Sequence, residues 1–114
     1  MKAILSLPDG LSKADIEARS SELDQLVWYW LGMMESIGML VFHRDLDVRV
    51  VDNTIGGPVL ISWRKLTRYV ADARAELQRD SFDEWFQWLA ERIAALERDE
   101  GRRPAHMREA DWKP

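Results

Sequence analysis

The sequence predicts an all-α protein, a compact bundle of four to five helices. Three observations carry this. Leu23 to Phe42 is apolar on nearly every side at helical spacing, two later stretches repeat the three-and-four spacing on one face, and no pair of segments alternates in the way two partnered strands would.

In the first stretch Leu23, Leu26, Val27, Trp30, Met34, Ile37 and Val41 line one face, while Trp28, Tyr29, Leu31, Met33 and Leu40 fill the others. A helix apolar all round belongs in a core, an oligomer interface or a membrane. From Leu26 to Phe42 there are 17 residues with Glu35 as the one ionisable side chain. A bilayer needs about 20 predominantly apolar residues, and a carboxylate at its centre costs roughly 2.5 to 3.5 kcal/mol. A buried central helix is the better reading, and a membrane span is disfavoured.

Upstream, residues 1–11 form an N-terminal arm ending in the turn residues Pro8, Asp9 and Gly10, and its apolar side chains can still dock. Its apolar run is too short for a secretory signal. Ser12 and Asp15 suit a helix start near Lys13, and Ser20-Ser21, with Asp24 close behind, suggests a break before the central helix. Gly38 weakens that helix by roughly 1 kcal/mol relative to alanine, and His43-Arg44 suit its end.

Residues 45–57 are ambiguous. Leu46, Val48 and Val50 alternate as a strand does, but a lone strand has no partner and would be an aggregation hazard. A short helix capped by Asp45 or Asp47 and ended by Gly56-Gly57 is preferred. Pro58 then opens a helix to about residue 79 along Ile61, Leu66, Tyr69, Val70, Ala73 and Leu77. Asp80 or Ser81 caps a last helix over 82–99, striped by Phe82, Trp85, Phe86, Leu89, Ile93 and Leu96 and stopped by Gly101. The domain is residues 12–100, and 101–114 reads as a mobile polar tail with Trp112 as its possible anchor.

The balance of 20 acidic against 16 basic side chains, formal charge −4, disfavours a general binder of nucleic-acid phosphates. With no cysteine there is no disulfide, thiolate nucleophile or cysteine metal site, and the cytoplasm is the expected compartment. The two histidines, His43 and His106, lie far apart, and no zinc, phosphate-loop, nucleophile-elbow or calcium-loop spacing is present. No cofactor and no metal are expected, and Asp45, Asp47 and Asp52 read as caps and solvated charge.

Glu35 is the most informative polar residue, because within an apolar helix it must be paired, protonated or exposed through a gap. The expected role is structural, through Arg64, Arg68 or a tryptophan N–H, rather than that of a general acid or base; no second catalytic group is identifiable. Arg64, Lys65 and Arg68, continued by Arg74 and Arg79, make a basic strip that Asp72 and Glu76 dilute. Trp28 and Trp88 lie off the main stripes and are candidates for an intermolecular surface.

The run Glu35-Ser-Ile-Gly38-Met-Leu-Val, with Leu46-Asp47, Gly56-Gly57, Trp63 and Phe86-Gln-Trp-Leu89-Ala, resembles an uncharacterised bacterial helical family, domain of unknown function 4760, over residues 22–95. The resemblance implies an all-helical fold, a helix rather than a strand at 46–55, and structural roles for Glu35 and Gly38, with Gly38 permitting close helix approach. It implies no activity. Many longer members look like a membrane anchor followed by such a domain; no separate anchor is expected here.

The function expected is therefore a small non-catalytic helical protein-interaction module, self-associating as a homodimer through its surplus of tryptophan and methionine. The alternatives are a phage- or mobile-element-type regulator or inhibitor that binds a host protein or nucleic acid through the basic strip or the tail, and an enzyme built on Glu35. Abundant alanine and arginine with few lysines point to a GC-rich bacterial or phage genome.

Overall fold

A computed structural model describes residues 1–101 and 103–114; of the predicted tail, Arg102 lies outside the described residues. Six helical segments are present among them and no strand: α1 (Lys2–Leu5), α2 (Lys13–Arg19), α3 (Ser21–Phe42), α4 (Val48–Leu77), α5 (Glu84–Glu100) and α6 (Ala105–Arg108).

Local chemistry sets most boundaries where the residue pattern puts them. Ser12 and Asp15 form a reciprocal capping box, each side chain accepting the other's backbone N–H at 3.0 Å. Ser20 adopts an extended backbone that breaks the chain between α2 and α3, and its hydroxyl accepts the Leu23 amide at 3.2 Å. Asp47, not Asp45, caps α4 by accepting the Arg49 amide at 2.8 Å. Gly101 ends α5 in the left-handed region at φ 57°, where a residue without Cβ is unstrained.

Residues 48–77 depart from the expected pair of helices. Gly56-Gly57 does not end a helix; the chain kinks at Ile55 (φ −131°, ψ 21°) and continues through Pro58 as one bent rod. A proline near the start of the second half loses no bond that half could have made, so a kink replaces the break. Gly56 is buried there against Asp52, whose carboxyl fills the place a Cβ would take; Asp52 is buried and not a solvated charge.

α4 is the spine. α5 packs chiefly on α3 and then on α4, α2 on both α3 and α4, and α1 on α4. The core is built from Val27, Leu31, Met34, Leu66, Tyr69, Val70, Phe86, Leu89 and Ile93, all essentially sealed from solvent. The N-terminal arm joins it, with Ile4 and Leu7 buried on α4. The tail does not: α6 buries no residue, and Trp112 stays 70% exposed rather than anchoring it. Among the described residues no helix is long and apolar enough to cross a membrane.

α3 is enclosed on one side only. Val27, Trp30, Leu31, Met34, Gly38 and Val41 are buried, whereas Leu26, expected in the core stripe, lies at its edge at 36% exposure beside open Tyr29, Met33 and Leu40.

Candidate functional site

Glu35 finds neither Arg64, Arg68 nor an indole. Its carboxylate crosses to the start of α5, where Oε1 accepts the Phe86 amide at 2.8 Å and the Trp85 amide also donates to it. That helix has no cap of its own: Asp83 holds the N-cap position with φ 55° and makes no side-chain capping bond. Orphan first-turn amides want an acceptor and favour negative charge, and a neighbouring helix supplies it.

One turn on, Gly38 serves the same contact by having no side chain. A Cβ there would overlap the Trp85 carbonyl oxygen and lie 2.7 Å from its carbon and 3.2 Å from its Cβ. Glu35 and Gly38 therefore both address the first turn of α5, one by hydrogen bonding and one by clearance.

The surroundings hold Glu35 and Asp83 in unusual states. Burial raises the Glu35 carboxyl above the ordinary range and Glu84 adds to the rise, against the lowering effect of the Phe86 and Trp85 amides and of Arg74. Asp83 is 4% exposed, its Oδ2 has no hydrogen-bond partner among the described residues, and burial, with the Glu35 charge beside it, pushes it up to about 7 despite Arg74. Arg74 is fixed by donating from Nε to the Phe82 carbonyl at 2.7 Å. Two carboxyl groups thus sit near one helix start, both under the influence of the Arg74 guanidinium.

The basic strip is engaged by the chain's own arm. Asp9 bridges Arg64 Nε at 3.1 Å and Lys65 Nζ at 2.8 Å, and Arg68 donates to the Gly10 carbonyl at 3.3 Å. Arg74 turns away to the α4–α5 connection. Residue pattern alone marked the cations but missed that the Pro8-Asp9-Gly10 turn would return to them.

Trp28 and Trp88 are brought to different aromatic groups. Trp28, 36% exposed, packs edge-on against Phe82 at 5.3 Å and Tyr69 at 6.1 Å. Tyr69 donates its hydroxyl to Asp24 Oδ1 at 2.5 Å, and burial with that carboxylate holds it protonated. Trp88, half-buried, meets Phe42 at 5.6 Å and Trp85 at 6.0 Å. It also borders a groove of about 710 Å³ between the end of α3 and α5, lined by Phe42, Leu46 and Leu96 with Arg44 and Arg92 at the rim.

Tyr29, Met33 and Leu40, which the apolar pattern placed on the other sides of an enclosed helix, lie open instead. With Leu26 they are exposed at 80%, 48%, 40% and 36% respectively and fall on one stripe of α3, at intervals of three, four and seven. That spacing puts the four on one side of α3, apart from its buried side, with Ser36 in the gap between Met33 and Leu40. No group of three or more His, Cys, Asp or Glu that could hold a metal ion occurs among the described residues.

The family model described as Domain of unknown function (DUF4760) matches residues 6–93. The chain belongs to this family. The match reaches beyond the motif residues to take in the end of the N-terminal arm and α2, so this DUF4760 domain includes the docked turn as well as the Glu35–Gly38 contact. Comparison with curated proteins and with solved structures gave no match.

Proposed function

We propose that the chain is a small non-catalytic helical interaction module that self-associates through the outer face of α3. The observation that carries this is Tyr29, 80% exposed in the middle of an apolar stripe with Leu26, Met33 and Leu40. Scattered apolar residues on a surface are ordinary, but a contiguous patch at regular spacing marks a contact surface. Trp28 packs on Tyr69 and Phe82, and Trp88 on Phe42 and Trp85, so the tryptophans lie outside the proposed contact.

The non-catalytic reading is supported by Glu35. Its carboxylate accepts two backbone amides and serves a helix cap. The basic strip gives a nucleic-acid or host-protein contact little support, since the arm already engages Arg64, Lys65 and Arg68. The test is size-exclusion chromatography with light scattering from micromolar to millimolar concentration. A dimer mass that falls to the monomer in Tyr29→Glu, with unchanged circular dichroism, is the expected result. A strict monomer across the range overturns the proposal.

A further inference from the structure

On the basis of that reading, we propose that two copies pair their α3 helices antiparallel, with the two-fold axis passing at Met33. The stripe is nearly symmetric about this residue. Leu26 and Leu40 lie seven residues to either side, and Tyr29 and half-buried Ile37 four to either side. An isologous contact needs such a self-complementary patch, because residue i meets j while j meets i. Reversing one helix sets Leu26 on the second copy's Leu40, Tyr29 on Ile37, and Met33 on itself.

Charge at the ends selects the direction. Glu22 stands in the first turn of α3 and Arg44 lies just beyond its C-cap His43, each eleven residues from Met33. Antiparallel pairing brings Glu22 of each copy to Arg44 of the other, and opposes the helix dipoles favourably. Parallel pairing would stack acid on acid and base on base, so like charge penalises it.

The area suits this occupant. Four such side chains with their flanking residues present several hundred Å² per copy, and a specific interface at the low end buries about 600 Å² per partner. A second copy supplies a matching surface of the same extent and the same apolar character.

The absence of cysteine makes the geometry directly testable by single cysteine substitutions in the full chain under mild oxidation. A disulfide needs Cα atoms about 4.4–6.8 Å apart. Met33→Cys should link to itself. Leu26→Cys and Leu40→Cys, each about 21 Å along the axis from its own counterpart, should stay monomeric on a non-reducing gel alone and link when mixed. Ready self-linking of Leu26→Cys would show a parallel pair and overturn the inference while leaving self-association standing. A dimer by light scattering with no linking at any of these positions would move the contact off this face and overturn it too. A monomer by light scattering would instead remove the reading on which it rests.

Discussion

Replacing Asp83 by asparagine should stabilise the protein in a strongly pH-dependent way. Asp83 is buried, its Oδ2 lacks a partner among the described residues, and its pKa rises from 3.8 to about 7 through burial first and Glu35 second, with Arg74 opposing. A carboxyl whose folded pKa exceeds its unfolded value binds its proton more tightly when folded. Its favourable contribution is complete below the unfolded pKa and is lost as pH climbs toward the folded one. A shift of about three units at about 1.4 kcal/mol each places the loss on the order of 4 kcal/mol, spread between about pH 4 and pH 7. Asparagine keeps the shape, carries no charge, and is among the residues that tolerate the left-handed backbone Asp83 occupies at φ 55°. Urea unfolding followed by tryptophan fluorescence should therefore find Asp83→Asn and the natural protein close in stability at pH 4.5, with the variant ahead by roughly 2–4 kcal/mol at pH 8.5. An equal difference at both pH values would refute a buried, proton-sensitive Asp83.

Three further outcomes follow from the same contacts. Gly38→Ala places a methyl group into the Trp85 backbone, which cannot yield as a side-chain tip would, so a loss of about 1–3 kcal/mol or more should appear as a lower urea midpoint. Glu35→Ala leaves the Trp85 and Phe86 amides without their acceptor and should cost about 1–3 kcal/mol, while Glu35→Gln, which keeps an oxygen there, should cost clearly less; equal losses would show that the acceptor is not what matters. Asp9→Asn should lower the melting temperature slightly at low salt and not at 1 M salt, because its pairing with Arg64 and Lys65 is exposed and screened; proteolysis near residue 10 should speed up if the turn is released.

Most of the fold was legible because it rests on short-range rules. The Ser12 box, the Ser20 break, the Asp47 cap and the Gly101 stop each depend on residues within one turn of the boundary. The tertiary contacts of polar groups were not. Glu35 was recognisable as needing a partner, but nothing local says that the partner is a backbone; amides carry no side-chain signature, and the missing cap at Asp83 shows only once its left-handed conformation is known. The same holds for Asp9, whose cations lie more than fifty residues away. Gly56-Gly57 misled because glycine marks both helix ends and kinks, and the choice depends on what packs around the bend.

The Glu35–Gly38 contact also accounts for how α3 can be apolar all round without confusing its packing. Apolar faces of a single helix are nearly interchangeable, since burial is non-directional and roughly proportional to area. A helix with two such faces could seat either of them on α5. A carboxylate that must reach two particular amides, and a glycine that alone admits the Trp85 carbonyl one turn later, break that degeneracy: rotating α3 to bury Tyr29 and Met33 would strand the carboxylate and drive a side chain into the α5 backbone. Specificity thus comes from one carboxylate and one absent side chain, while the apolar residues supply the driving force. With the inner face fixed in this way, the outer stripe can change without altering the fold.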